Sequence, residues 1–133
     1  MRAAARWLLA AMLVAAGVSH LTWGRRGYRI VVPPWAVRAS GLDVDGIVVA
    51  SGAVEVVLGA ALVALPRERR RVGAAIAAFF VAVLPGNVHQ WRTGRSAPGL
   101  RTDRARFVRL FLQLPLIAWA LWSTSERREH TRR

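Results

Sequence analysis

The sequence contains no cysteine, which rules out disulfides, a thiolate nucleophile and any thiol ligand for zinc or an iron–sulfur cluster. It also contains no lysine and only seven acids, so all 20 basic residues are arginines and the net charge is +13. In a soluble protein that balance would suggest nucleic acid as partner. Polar side chains are missing too along two stretches, Trp7–Val18 and Val72–Leu84. Soluble helices of that length carry a polar stripe every three or four residues, so a soluble four-helix bundle is not the expectation. No internal repeat is present.

What the chain does have is apolar surface. Of its 133 residues, 54% are apolar before the 11 glycines are counted, whereas soluble domains reach about 45 to 50% with glycine included. Four segments can be read. The first runs from Trp7 past Ser19, His20 and Thr22 to Trp23, 17 residues, which just crosses the hydrocarbon of a bilayer. The second runs from Ile47 to Leu65, interrupted by Ser51 and Glu55, and stops at Pro66 and the arginines through Arg71. A third extends from Val72 to Trp91 and turns polar after Pro85, with Asn87, His89 and Gln90. The fourth covers Phe107 to Trp122 and holds Arg109, Gln113 and Pro115. The fold expected is therefore all-α, an integral membrane four-helix transmembrane bundle. It forms one domain over 1–133, with helices near 5–23, 44–65, 72–91 and 105–123 and a polar C-terminal tail at 124–133.

Indole rings collect at membrane interfaces, where one edge is apolar and the other wet. Trp7, Trp119 and Trp122 fall at one predicted end, and Trp23, Trp35 and Trp91, with Tyr28, at the other. Met1–His20 has the outline of a signal peptide, but no clean cleavage pattern follows Val18 and Trp23 closes the run as an interfacial anchor would. Arginine density beside short loops sets orientation. Arg2, Arg6, Arg67, Arg69, Arg70 and Arg71 are joined at the terminal end by Arg127, Arg128, Arg132 and Arg133, so both termini are expected in the cytoplasm of a multi-pass protein of the cell membrane. Basic residues against anionic headgroups account for the high pI, and the lipid bilayer replaces nucleic acid as the expected partner. Pro33 and Pro34 forbid regular helix through that point, leaving a short interfacial segment near Trp35–Ala39 and a second span starting near Asp43. Arg92–Arg106 reads as a flexible loop.

Ionisable residues inside a membrane usually face a cavity or a partner. Counting 1.5 Å per residue, His20 lies about 5 Å, Glu55 about 12 Å and Gln113 about 9 Å inside the end opposite the termini. Asn87, His89 and Arg109 lie about 3 to 6 Å inside the same end by that rise. All four helices contribute to this layer. Ser51 and Glu55 share a helix face, as do Arg109 and Gln113, whereas Asn87 and His89 are about 200° apart at 100° per residue, so only one can point inward. Pro85 and Pro115 each remove a backbone hydrogen bond beside the layer, which suggests a widened pocket. The candidate pocket is thus His20, Ser51, Glu55, Asn87, His89, Arg109 and Gln113. Such a set serves either to pin helices, Glu55 pairing with Arg109 or a histidine, or to hold a quinone, a small substrate or a proton. His20, His89 and Glu55 match a two-histidine, one-carboxylate metal pattern, but their depths differ. Haem between His20 and His89 would sit too near the interface, so neither metal nor haem is expected.

In these residues the chain resembles the DoxX-like family of small four-helix bacterial membrane proteins. The resemblance rests on AGVSHL at 16–21, YRIVVPPW at 28–35, SGAVEVVLGAALVAL at 51–65, PGNVHQ at 85–90 and LQLPLIAWALW at 112–122. It implies a four-helix membrane protein in which His20, Glu55, Asn87 and His89 match the family's polar positions. It also implies kinship with a group that includes a subunit resembling thiosulfate:quinone oxidoreductase and members linked to redox or thiol stress. Without cysteine, thiol chemistry would belong to a partner or a substrate. Two functions stay open: a redox-associated subunit with a redox partner protein and a pocket for quinone or a small substrate, and a non-catalytic membrane module that binds a partner protein.

Overall fold

The computed structural model describes residues 1–96 and 100–125. Helix α1 (Arg2–Leu21) is followed by the one-turn helix α2 (Arg25–Tyr28), a 3-10 turn at Arg29–Val31 and the short helix α3 (Pro34–Ser40). Helix α4 (Val44–Ala64), a 3-10 turn at Pro66–Glu68, helix α5 (Arg69–Thr93) and helix α6 (Asp103–Thr124) complete the chain. Among the described residues α1, α4, α5 with the turn before it, and α6 are long and apolar enough to cross a membrane. The fold is an all-α four-helix bundle, as the apolar runs predicted.

The boundaries follow local chemistry. Asp43 caps α4 by accepting a hydrogen bond from the Gly46 amide at 2.7 Å, and Thr102 caps α6 through the Ala105 amide at 3.1 Å, satisfying amides that have no partner within the helix. Pro33 and Pro34 do not break a helix but start one: Pro34 is the first residue of α3, where a missing N–H costs nothing. Two expectations are corrected. The first span ends at Leu21, two residues before Trp23, and the third begins at Arg69 and runs to Thr93, so part of the expected loop is helix. Gly94, at φ 66°, ends it in the left-handed region. Residues 126–133 of the polar tail, with His130 and the last four arginines, lie outside the described residues, as do 97–99 of the loop.

The helices form a ring in the order α4, α1, α6, α5. The pairs α1–α4 and α5–α6 pack closely, and α4–α5 least of the four neighbouring pairs. At the first interface small residues let the backbones meet. A Cβ on Gly17 would stand 2.5 Å from the Gly52 carbonyl oxygen, and one on Gly59 2.9 Å from the Ala10 carbonyl oxygen, a contact of the small-residue type used between membrane helices. The start of α1 and the end of α6 lie at one end, where Arg6 donates to the Ser123 carbonyl (3.2 Å), Arg2 to the Ser125 carbonyl (3.2 Å) and the Trp119 indole to the Ala5 carbonyl (3.1 Å).

The core of that terminal half is apolar, built from Leu9, Leu13, Leu62, Ile76, Phe80 and Ala120. Leu8, Val57, Val81, Phe111 and Leu114 instead point outward from mid-helix, as lipid-facing residues do. Trp7, Trp23, Trp35, Trp91 and Trp122 are likewise exposed, so five of the six tryptophans are not core aromatics.

Candidate functional site

Three buried polar side chains of the other half, Glu55, Asn87 and Gln113, line one cavity of about 350 Å³ between the four long helices, while Gln90 and Arg106 lie outside it. Its walls include His20 from α1, Ser51 and Glu55 from α4, Asn87 from α5, and Arg109 and Gln113 from α6. Six of the seven residues singled out in the sequence therefore meet.

The centre of the cluster is a short contact: His20 Nδ1 lies 2.5 Å from Glu55 Oε2, with the two side chains 12% and 10% exposed. Of the partners weighed for Glu55, the structure selects His20. Helical spacing explains the choice. α1 and α4 run antiparallel, with Gly17 against Gly52 and Gly59 against Ala10, so His20, three residues beyond Gly17, and Glu55, three beyond Gly52, stand on either side of the glycine contact along the axis and reach toward each other across it. The contact is a hydrogen bond between an imidazole nitrogen and a carboxylate oxygen, the two side-chain types that most often serve as proton donor and acceptor.

Tyr28 completes the floor. Its ring centroid is 3.5 Å from that of His20, and its hydroxyl pairs with Ser19 Oγ at 3.2 Å. The Arg29–Val31 turn that follows Tyr28 is seated on Gly86, where a Cβ would come within 2.8 Å of the Val31 carbonyl oxygen. The turn is also tied to α4 by Arg29, whose Nη2 donates to Asp45 at 2.7 Å, and by Arg25 at 3.4 Å. Sequence reading placed Tyr28 among the interfacial aromatics and missed this role. The signal available was its position between Ser19–His20 and the two prolines, which must fold the chain back onto the bundle.

Arg109 does not pair with Glu55. Its Nη1 donates to Gln90 Oε1 at 2.9 Å, and Gln90, 1% exposed, donates in turn to the Arg95 carbonyl at 3.2 Å. A guanidinium has five donors, so this neutral partner leaves donors of Arg109 for the cavity. Gln113, one turn deeper, is 8% exposed and its Oε1 meets no donor among the described residues. Leaving a buried acceptor unpaired costs about 1 to 3 kcal/mol, so this atom marks a place where a hydroxyl or N–H belongs.

His89 is the correction. It lines a separate recess with Trp35, Val81, Leu84 and Arg92 on the outside of α5, because Asn87, two residues away and 6% exposed, takes the inward face. The structure therefore does not bring His20, His89 and Glu55 together as a metal set, nor the two histidines as a haem pair.

Residues 9–124 match the family described as "Domain of unknown function (DUF8561)". The chain belongs to this family. Neither the curated proteins nor the solved structures gave a match. The matched span starts within α1 and ends at the last residue of α6, so all of α4, α5 and α6, most of α1 and every residue of the cavity belong to the family's domain.

Proposed function

We propose that this DUF8561 protein is a multi-pass protein of the cell membrane, with both termini in the cytoplasm, that binds a quinone in the axial cavity as a redox-associated subunit. The observation that carries the reading is the chemistry of the walls: an imidazole–carboxylate pair on one side, and an arginine with free donors beside an unpaired amide oxygen on the other. A quinone head offers carbonyl acceptors to Arg109, and its reduced form offers hydroxyl donors to Gln113 Oε1. The residues therefore fit both forms.

A bound quinone supplies two-electron, two-proton chemistry. The chain's part is to hold the head between α1–α4 and α6, exclude water with the apolar half below, and keep a proton at the His20–Glu55 contact within the cavity. General acid–base work of this kind requires groups that exchange a proton over a short distance. With no cysteine in the chain, electrons come from a redox partner protein, in keeping with the DoxX-like resemblance.

The test is thermal stability of the purified protein in detergent with menadione and with a decyl-tailed quinone. A ligand at 100 times its Kd adds about 2.7 kcal/mol of stability. Stabilisation that Glu55→Gln and Gln113→Leu weaken at least tenfold supports the reading. No stabilisation by either quinone overturns it and favours the second function, a non-catalytic module that docks a partner protein.

A further inference from the structure

Beside the axial cavity lies a second chamber of about 370 Å³, walled by α3, the Arg29–Val31 turn, α4 and α5. It differs in chemistry. Val32, Trp35, Ala50, Val54, Phe79 and Ala82 give it an apolar surface. His20, Tyr28, Val31, Ser51 and Val83 line both chambers, so the two share a wall at His20. The side chamber lies between α4 and α5, the neighbouring helices that approach each other least, and Val54 and Ala82 at this place are exposed, as is Trp35.

We propose that the side chamber is the lateral doorway and tail groove of the axial site, so that the ligand is a bilayer-dissolved amphiphile with one flexible hydrocarbon tail. The inference rests on the quinone reading for the head alone. Three observations carry it. The axial cavity gathers Glu55, Asn87, Arg109 and Gln113, none of which lines the adjoining chamber, so a polar head is held in the first and not in the second. The adjoining chamber is apolar and opens on the surface that lipid covers. The partition includes Tyr28, held by Ser19 and packed at a tilt against His20, so a head group at Glu55 and a tail against Trp35 would pass on either side of one ring. A tail moving from lipid to this groove exchanges one apolar surrounding for another, so the groove selects by shape and adds little hydrophobic affinity.

Ala50 and Ala82 line the side chamber and not the axial cavity, and both are exposed, so a larger side chain there fills open space. Ala50→Phe and Ala82→Phe should each weaken binding of the decyl-tailed quinone at least tenfold and leave menadione, which has no tail, unchanged. Equal loss of both ligands, or loss of neither, overturns the doorway. A separate arm uses a fatty acid brominated along its chain, with Trp35→Phe subtracting the signal of the other tryptophans. Quenching of Trp35 that Ala82→Phe abolishes supports the groove even where no quinone binds, and would then replace the head group but keep the tail. Absence of Trp35 quenching overturns the groove whatever the quinones do.

Discussion

Glu55 and His20 touch because Gly52 and Gly17 do. The 2.5 Å contact between Oε2 and Nδ1 spans a backbone approach so close that a Cβ on Gly52 would stand 2.6 Å from His20 Cβ. The site's chemistry and the packing of α1 on α4 are thus one feature.

The pair should be coupled energetically. In a double-mutant cycle of His20→Ala and Glu55→Leu, contacting polar residues give an interaction energy of about 0.5 to 3 kcal/mol. Glu55→Leu alone leaves the imidazole unpaired and should lower stability, whereas Glu55→Gln keeps a hydrogen-bonding side chain and should lose less. Equilibrium unfolding in mild detergent measures both, and strictly additive single mutants would contradict the contact.

Gly52→Val should be the more damaging change. Its side chain would meet the Gly17 carbonyl oxygen and His20 Cβ, and overpacking costs typically about 1 to 3 kcal/mol. It should also part His20 from Glu55, so quinone stabilisation falls together with melting temperature. A melting temperature unchanged from that of the parent protein would show that the helices do not meet here.

Gln113→Leu should separate stability from function in the opposite sense. Removing an unpaired buried acceptor recovers part of its desolvation penalty, about 1 kcal/mol, while ligand binding weakens. A variant both less stable and equally able to bind would remove Gln113 from the site.

Topology is checked by reporter fusions at the C-terminus and within residues 95 to 100. Four membrane crossings with cytoplasmic termini require opposite signals at the two positions, the cytoplasmic one at the C-terminus. Identical signals would contradict the fourfold crossing.

The four long helices were legible because the apolar runs are long and nearly free of polar residues, and Asp43 marked the start of α4. The site was legible as a layer, since helical rise alone put His20, Glu55, Asn87 and Gln113 at one end. What rise does not give is rotation. Asn87 and His89 lie on opposite faces, and nothing in the sequence says which turns inward; packing of the Arg29–Val31 turn on Gly86 goes with the inward turn of Asn87. The partner of Arg109 was hidden for the same reason, since Gln90 is reached only once α5 and α6 are set antiparallel. Tyr28 was missed because a segment with two prolines has no period to read, which leaves only its position between Ser19–His20 and the prolines as a signal.

The clasp of Arg2, Arg6 and Trp119 at the terminal end has a consequence for biogenesis. Each of the two closely packed pairs, α1 with α4 and α5 with α6, joins neighbours along the chain, so each forms as its own hairpin once its second helix has been made. The clasp joins the two hairpins through residues 2–6 and 119–125, almost the full length of the chain apart. Ring closure therefore waits until residue 125 has been made, and until then Arg2 and Arg6 lack the carbonyl partners that Ser125 and Ser123 supply.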